Sequence, residues 1–150
     1  MANYNREFMI AAFNLAEKAN KMNEVPVGAV VTKNKKIIGS GSNSVIADLN
    51  VAAHAELNAI KDASIKLNNY RLNGCDIYVT LEPCHMCAKA IVDARMENIF
   101  FAAPEPKTGA IISIDNFLKR EHLNHKVKFE YGFMKNKSAE ILKKFFSERR

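Results

Sequence analysis

Two short fragments hold residues whose types and spacing suit metal-assisted hydrolysis: His54 and Glu56 in one, Cys84 and Cys87 in the other. Cysteines at i and i+3 share one face of a helical turn. Pro83, just before them, marks that turn as a helix start, where unpaired backbone N–H groups favour thiolates. Zinc takes thiolate sulfur at about 2.3 Å and imidazole nitrogen at about 2.0 Å, and three protein ligands leave the fourth tetrahedral position to water. His54, Cys84 and Cys87 supply the three places, one Zn2+ per subunit. Water on such an ion loses its proton near neutral pH and becomes a hydroxide nucleophile. Glu56, two residues from His54, is placed to shuttle that proton without being a ligand.

Each fragment alone has a plainer reading. An isolated Cys-x-x-Cys serves as a structural zinc site or a redox pair, and an isolated His-x-Glu is usually a surface accident. A structural zinc needs a fourth protein ligand, and the candidates are Cys75, His85, His122 and His125. None is well spaced. His85 follows Cys84 directly and points about 100° away around a helix, while Cys75 begins an apolar strand and reads as a small buried side chain. His-x-Glu followed by Pro-Cys-x-x-Cys is the pattern of zinc-dependent base deaminases. On an adenine the steps would be attack of a zinc-bound hydroxide at ring carbon 6, then protonation by Glu56 of the neighbouring ring nitrogen and of the amino group. Ammonia would leave, and the product would be hypoxanthine, that is, inosine in the nucleoside.

These residues need a scaffold that brings the two fragments together. Arg6 to Asn20 carries apolar residues at helical spacing (Phe8, Ala12, Leu15, Ala19), and Pro26 lies beyond its end. Val27 to Thr32 and Lys36 to Gly41 read as a β-hairpin around the polar tip Lys33-Asn34-Lys35, and Ser42 to Ala53 as a loop. His54 to Lys66 is helical. Asp76 to Leu81 is a strand, Cys84 to Arg95 a helix and Asn98 to Ala102 an apolar strand. A short helix ends near Lys119, Lys126 to Tyr131 is a strand, and Ser138 to Arg149 is a last helix. Alternating β and α elements predict a three-layer α/β/α fold with parallel central strands. Residues 1–150 read as a single domain without repeats or linkers, a usual length for one core.

Composition narrows the partners. The net charge is +6, and the last sixteen residues hold six cations against two carboxylates, so an anionic partner would be met at the C-terminus. Three cysteines, two of them three apart, suit a reducing compartment and metal ligation better than a disulfide framework. The start of the chain shows no secretory leader, and no segment approaches the roughly 18 apolar residues of a membrane span. The expectation is a cytoplasmic protein with no membrane partner.

Beyond the metal fragments, the chain carries Val25-Pro26-Val27-Gly28-Ala29-Val30, Asn69-Tyr70-Arg71-Leu72, Tyr78-Val79-Thr80-Leu81-Glu82-Pro83-Cys84, Lys107-Thr108-Gly109, Asn124-His125 and Phe145-Phe146 with Arg149-Arg150. Over nearly its whole length it resembles the TadA-type tRNA adenosine deaminases of bacteria. Free-nucleoside cytidine deaminases have a Cys where His54 stands, and polynucleotide cytosine editors carry Ser-Trp-Ser before Pro-Cys, whereas this chain has no Trp. The resemblance implies a cytidine-deaminase-like fold with a central mixed sheet of about five strands flanked by helices. It also implies a homodimer and action on the wobble adenosine of a tRNA anticodon stem-loop. Position by position, His54, Cys84 and Cys87 match the family's zinc ligands and Glu56 its proton shuttle. Asn43 matches the Asn that reads the flipped purine, although by itself it reads as a turn residue after Gly41-Ser42. Val27 and Pro26 match part of the pocket wall.

On the last helix Ile141, Leu142 and Phe145 form a core-facing stripe. Phe146, Lys143, Lys144, Arg149 and Arg150 give it an aromatic and cationic surface suited to RNA, to which Lys107 adds from its loop. Glu105, where the family commonly has Asp, and Ile111-Ile112, in place of small residues, depart from the pattern and bear on RNA contacts. Two other functions fit parts of the sequence: a deaminase of the same fold acting on guanine, cytosine or deoxycytidylate, and a non-catalytic zinc-stabilised RNA-binding subunit.

Overall fold

A computed structural model describes residues 3–149. Its elements are α1 (Arg6–Lys21), β1 (Gly28–Lys33), β2 (Lys36–Ser42), α2 (Val45–Asp48), α3 (Ala55–Leu67), β3 (Asp76–Leu81), α4 (His85–Asp93), β4 (Asn98–Ala103), a 3-10 turn (Phe117–Lys119), β5 (Lys128–Tyr131) and α5 (Lys135–Ser147). The five strands form one sheet in the order β2-β1-β3-β4-β5. β1 runs antiparallel to both β2 and β3, whereas β3, β4 and β5 are mutually parallel. The sheet is therefore mixed and five-stranded, as the family resemblance implies; β3, β4 and β5 are the expected parallel strands, and only the β1–β3 pairing departs from them. Both faces of that pair are covered, so its strands read as continuous apolar runs whichever way they point.

Side chains alternate across the sheet and fill two cores. Val30, Tyr78, Phe100 and Ala102 face α1 through Met9, Ala12 and Phe13, with Ile141 of α5 packed alongside. Ala29, Val31, Ile77, Val79, Ile99 and Phe101 face α3 and α4. The hairpin closes through Asn34 and Lys35, both at positive φ (51° and 62°), the backbone of a tight primed turn.

α3 lies unusually close to the hairpin. Ala55, Ala59 and Ala63, one turn apart on a single face, are all fully buried, and glycines meet them from β2. A Cβ on Gly41 would stand 2.5 Å from the Ala55 carbonyl oxygen, and one on Gly39 2.6 Å from that of Ala59. The small residues set the height of α3 above the sheet and so the position of its first turn. Gly41→Val must push α3 outward, and we expect it to destabilise the fold by about 3 kcal/mol, read as a lowered denaturation midpoint.

Several boundaries differ from the sequence reading. The loop 42–53 contains α2, held by a tertiary contact described below. Cys84 and His54 are the N-caps of α4 and α3 and not helical residues themselves. α4 stops at Asp93, and Arg95 turns left-handed (φ 61°). α5 starts earlier, from Met134 in a left-handed conformation. Among the described residues no helix is long and apolar enough to cross a membrane.

Candidate active site

The helices α3 and α4 begin side by side, one reached from β2 through the α2 segment and the other from β3. His54 and Cys84 stand at their N-caps, and Glu56 and Cys87 lie in their first turns. Backbone N–H groups that helix geometry leaves unpaired thus surround the cluster and favour negative charge on sulfur and carboxylate. The His54 Nδ1 is 3.7 Å from Cys84 Sγ and 3.5 Å from Cys87 Sγ, and the three donor atoms lie within 4.8 Å of one another. A tetrahedral zinc with the usual bond lengths has nitrogen-to-sulfur edges of about 3.5 Å, so the donors fit such an ion in both type and separation.

The titration of these groups follows from their contacts. The hydrogen bond from the Cys87 thiol draws Cys84 down to about 4, helped by His54. The same bond, with burial, pushes Cys87 up, and the contact to Cys84 raises His54. Groups that share protons in this way surrender them to a bound dication. Glu56 is only 4% exposed, and burial lifts its carboxyl to about 7 from the protein groups alone. A carboxyl titrating near neutrality can both accept and return a proton.

No fourth protein ligand joins the three among the described residues. The His85 imidazole turns away to Asp115 (2.8 Å), as its position next to Cys84 predicts. His125 is bonded to the Met96 carbonyl, and Cys75 is fully buried at the start of β3. His122 lies in another hollow, beside His125 and Lys89.

The cluster lies in a cleft of about 520 Å³, lined among others by Val27, Asn43, His54, Glu56, Cys84, Glu105, Thr108 and Phe145. The backbone N–H of Asn43 donates to the Val27 carbonyl (3.1 Å), which joins these two walls. Pro26 is buried and is not among the lining residues, whereas Val25 and Val27 are. The Val27 N–H donates to the Val25 carbonyl across Pro26 (2.8 Å), a tight turn in which Pro26 packs inside while Val25 and Val27 border the cleft. Phe145, expected only as core, is 5% exposed and also forms part of a wall.

Of the residues expected to meet RNA, Lys107 is exposed and Phe146 is 49% exposed. Arg149 is already engaged. Its guanidinium stands 3.5 Å from the centre of the Phe145 ring and donates to the Phe145 carbonyl (3.0 Å) and Asn23 Oδ1 (2.9 Å). It fastens the end of α5 to the α1–β1 turn, a role hidden in a sequence where it reads as one more terminal cation. Arg150 lies outside the described residues.

Two buried carboxylates escaped the sequence reading. Glu24 is 2% exposed, and its two oxygens accept the backbone N–H groups of Ile46 and Ala47 (3.0 and 2.8 Å), capping α2 from 22 residues away. This contact makes a helical turn where local pattern shows only loop. Glu82 is 3% exposed, and burial would raise its carboxyl, but hydrogen bonds from Ile112, Ser113 and Glu105 overcome that and hold it below the usual range. The one sequence signal for either was a charged residue flanking a buried strand.

Fold and site together define a hydrolytic base deaminase with the cytidine-deaminase-like arrangement of sheet and helices. Comparison with known proteins agrees. A family model described as MafB19-like deaminase matches residues 3–150. The tRNA-specific adenosine deaminase of Aquifex aeolicus is 43% identical over 143 residues, covering 95% of this chain and 94% of that protein. A solved structure from a study of A-to-I editing by tRNA:A34 deaminases at the wobble position is 38% identical with a TM-score of 0.90, covering 92% of this chain and 100% of that one. A guanine deaminase from Bacillus subtilis is 30% identical with a TM-score of 0.67, covering 98% and 94%. With such identity over nearly full length, the chain belongs to the family of tRNA-specific adenosine deaminases.

Proposed function

We propose that this chain converts adenosine to inosine at the wobble position of a tRNA anticodon by hydrolytic deamination. One observation carries the reading: a cradle of three metal donors beside the buried Glu56, at the floor of a cleft walled by Asn43 and Val27. His54 Nδ1 and the Cys84 and Cys87 thiolates would hold one zinc ion per subunit. When bound, zinc supplies Lewis-acid activation of water at neutral pH. Glu56 would take a proton from the attacking water and pass it to the ring nitrogen beside carbon 6, then take the second proton from the hydroxyl now on carbon 6 and deliver it to the amino group, which leaves as ammonia while the carbonyl forms. One water is consumed and one ammonia is released, so Glu56 ends as it began. Asn43 offers both a donor and an acceptor to the purine edge, and Val27 packs against its face.

Asn43→Ala removes that recognition without touching the metal donors, and we expect kcat/KM to fall by about 10- to 100-fold, the worth of one or two hydrogen bonds left unmade. A variant that kept full kcat/KM would show that Asn43 does not read the base.

The protein is further read as a single domain, a homodimer and a cytoplasmic enzyme, where thiolate ligands stay reduced. Leu49 and Val51, 92% and 82% exposed beside the cleft loop, support a partner surface. The defining test incubates zinc-loaded protein with an anticodon hairpin bearing a wobble adenosine, beside free adenosine, guanine and cytidine. Inosine at that one position is the expected product. Turnover of guanine or cytidine alone would keep the chemistry and replace the substrate.

A further inference from the structure

The buried carboxylate of Glu82 is the centre around which the loop 105–113 is wrapped. Its Oε1 accepts the Glu105 N–H (3.0 Å) and the Ser113 hydroxyl, and its Oε2 accepts the N–H groups of Ile111 (3.0 Å), Ile112 (2.8 Å) and Ser113 (3.0 Å). Three consecutive amides converging on one oxygen form a nest for negative charge, here filled from within the chain. Gly109 fits because its Cα faces the same carboxyl: a Cβ there would stand 2.2 Å from Glu82 Cδ. The Ala110 N–H, next along, donates to the Pro83 carbonyl (2.9 Å), so the loop is laid on the segment that leads into Cys84. Glu105 and Thr108 of the loop line the cleft, and Lys107 between them is exposed.

We infer that Glu82 is a positioning residue for substrate RNA: it holds the loop 105–113 as the cleft wall that meets the strand, while taking no part in the reaction itself. The inference rests on the proposed RNA substrate. Metal donors sit on the two helix starts and the purine-reading Asn43 on another loop, so loosening this wall acts on binding before it acts on chemistry. A glutamine at this position has nearly the same shape, but its amide nitrogen cannot accept the hydrogen bonds one carboxylate oxygen receives.

Glu82→Gln is therefore expected to raise KM for the anticodon hairpin about tenfold, with kcat within about threefold and one zinc retained per chain. The slope of log KM against log salt concentration should also flatten, because Lys107 no longer reaches a phosphate. Ser113→Ala, which deletes one donor and spares the carboxylate, should shift KM in the same direction by about threefold and gives the reading if Glu82→Gln does not fold. Unchanged KM in a folded variant, or a kcat that falls in step with bound zinc, overturns the proposal. Wild-type protein that leaves the hairpin unedited refutes the substrate itself, an outcome visible before any variant is made.

Discussion

Turnover by Glu56→Gln is expected to fall by about three orders of magnitude while the metal stays bound. The carboxyl is buried at the first turn of α3, two residues from a metal donor and not one of the three donors. Glutamine keeps its size and its place in the core but can neither take nor return a proton, so water activation, ring protonation and amino-group departure all lose their carrier. The measurement is single-turnover inosine formation together with metal content by atomic spectroscopy. A rate within tenfold of wild type would remove Glu56 from the mechanism, and metal loss proportional to the rate would make it a structural support of the cradle.

Cys87→Ala should abolish both activity and metal retention. Cys87 is fully buried, and its sulfur lies 3.5 Å from His54 Nδ1, so its removal leaves two donors where a closed three-donor cradle stood. An ion bound only to the native state stabilises it by about 2.7 kcal/mol at a free concentration 100 times its dissociation constant. Chelator should therefore lower the melting temperature of wild type by several degrees, and added zinc should restore both stability and turnover. The variant should melt near the stripped wild type and respond to neither treatment. Activity that survives in metal-free Cys87→Ala would overturn the assignment of the cradle.

The chemistry was legible in the sequence because its parts are local. His54 and Glu56 share one helix start, Cys84 and Cys87 another, and Pro83 announces the second. Contacts that bridge distant segments were hidden. Glu24 caps α2 across 22 residues, and Glu82 gathers amides 23 to 31 residues on; neither has a spacing to betray it. The direction of β1 against β3 was hidden as well, since strands covered on both faces lose the polar alternation that would set them apart. The tight turn at Val25-Pro26-Val27, closed by the Val27 N–H on the Val25 carbonyl, sets which of these residues border the cleft, and nothing in the local spacing shows it. Arg149 was hidden for another reason: a terminal cation reads as free until its partners at Phe145 and Asn23 are known, and the residue stays exposed beside them.

The cleft walls are fastened by residues that are not themselves metal donors: Glu24 secures one loop, Glu82 another, and Arg149 ties the end of α5 to Asn23. On the proposed roles, reactivity and selectivity reside in different residues, so that substitutions in one set could accumulate while the other is left intact. A lineage can exchange what enters the cleft by redrawing a loop around its buried anchor, without passing through a form that has lost the reaction. A shared fold with a guanine deaminase is the kind of divergence such a division permits.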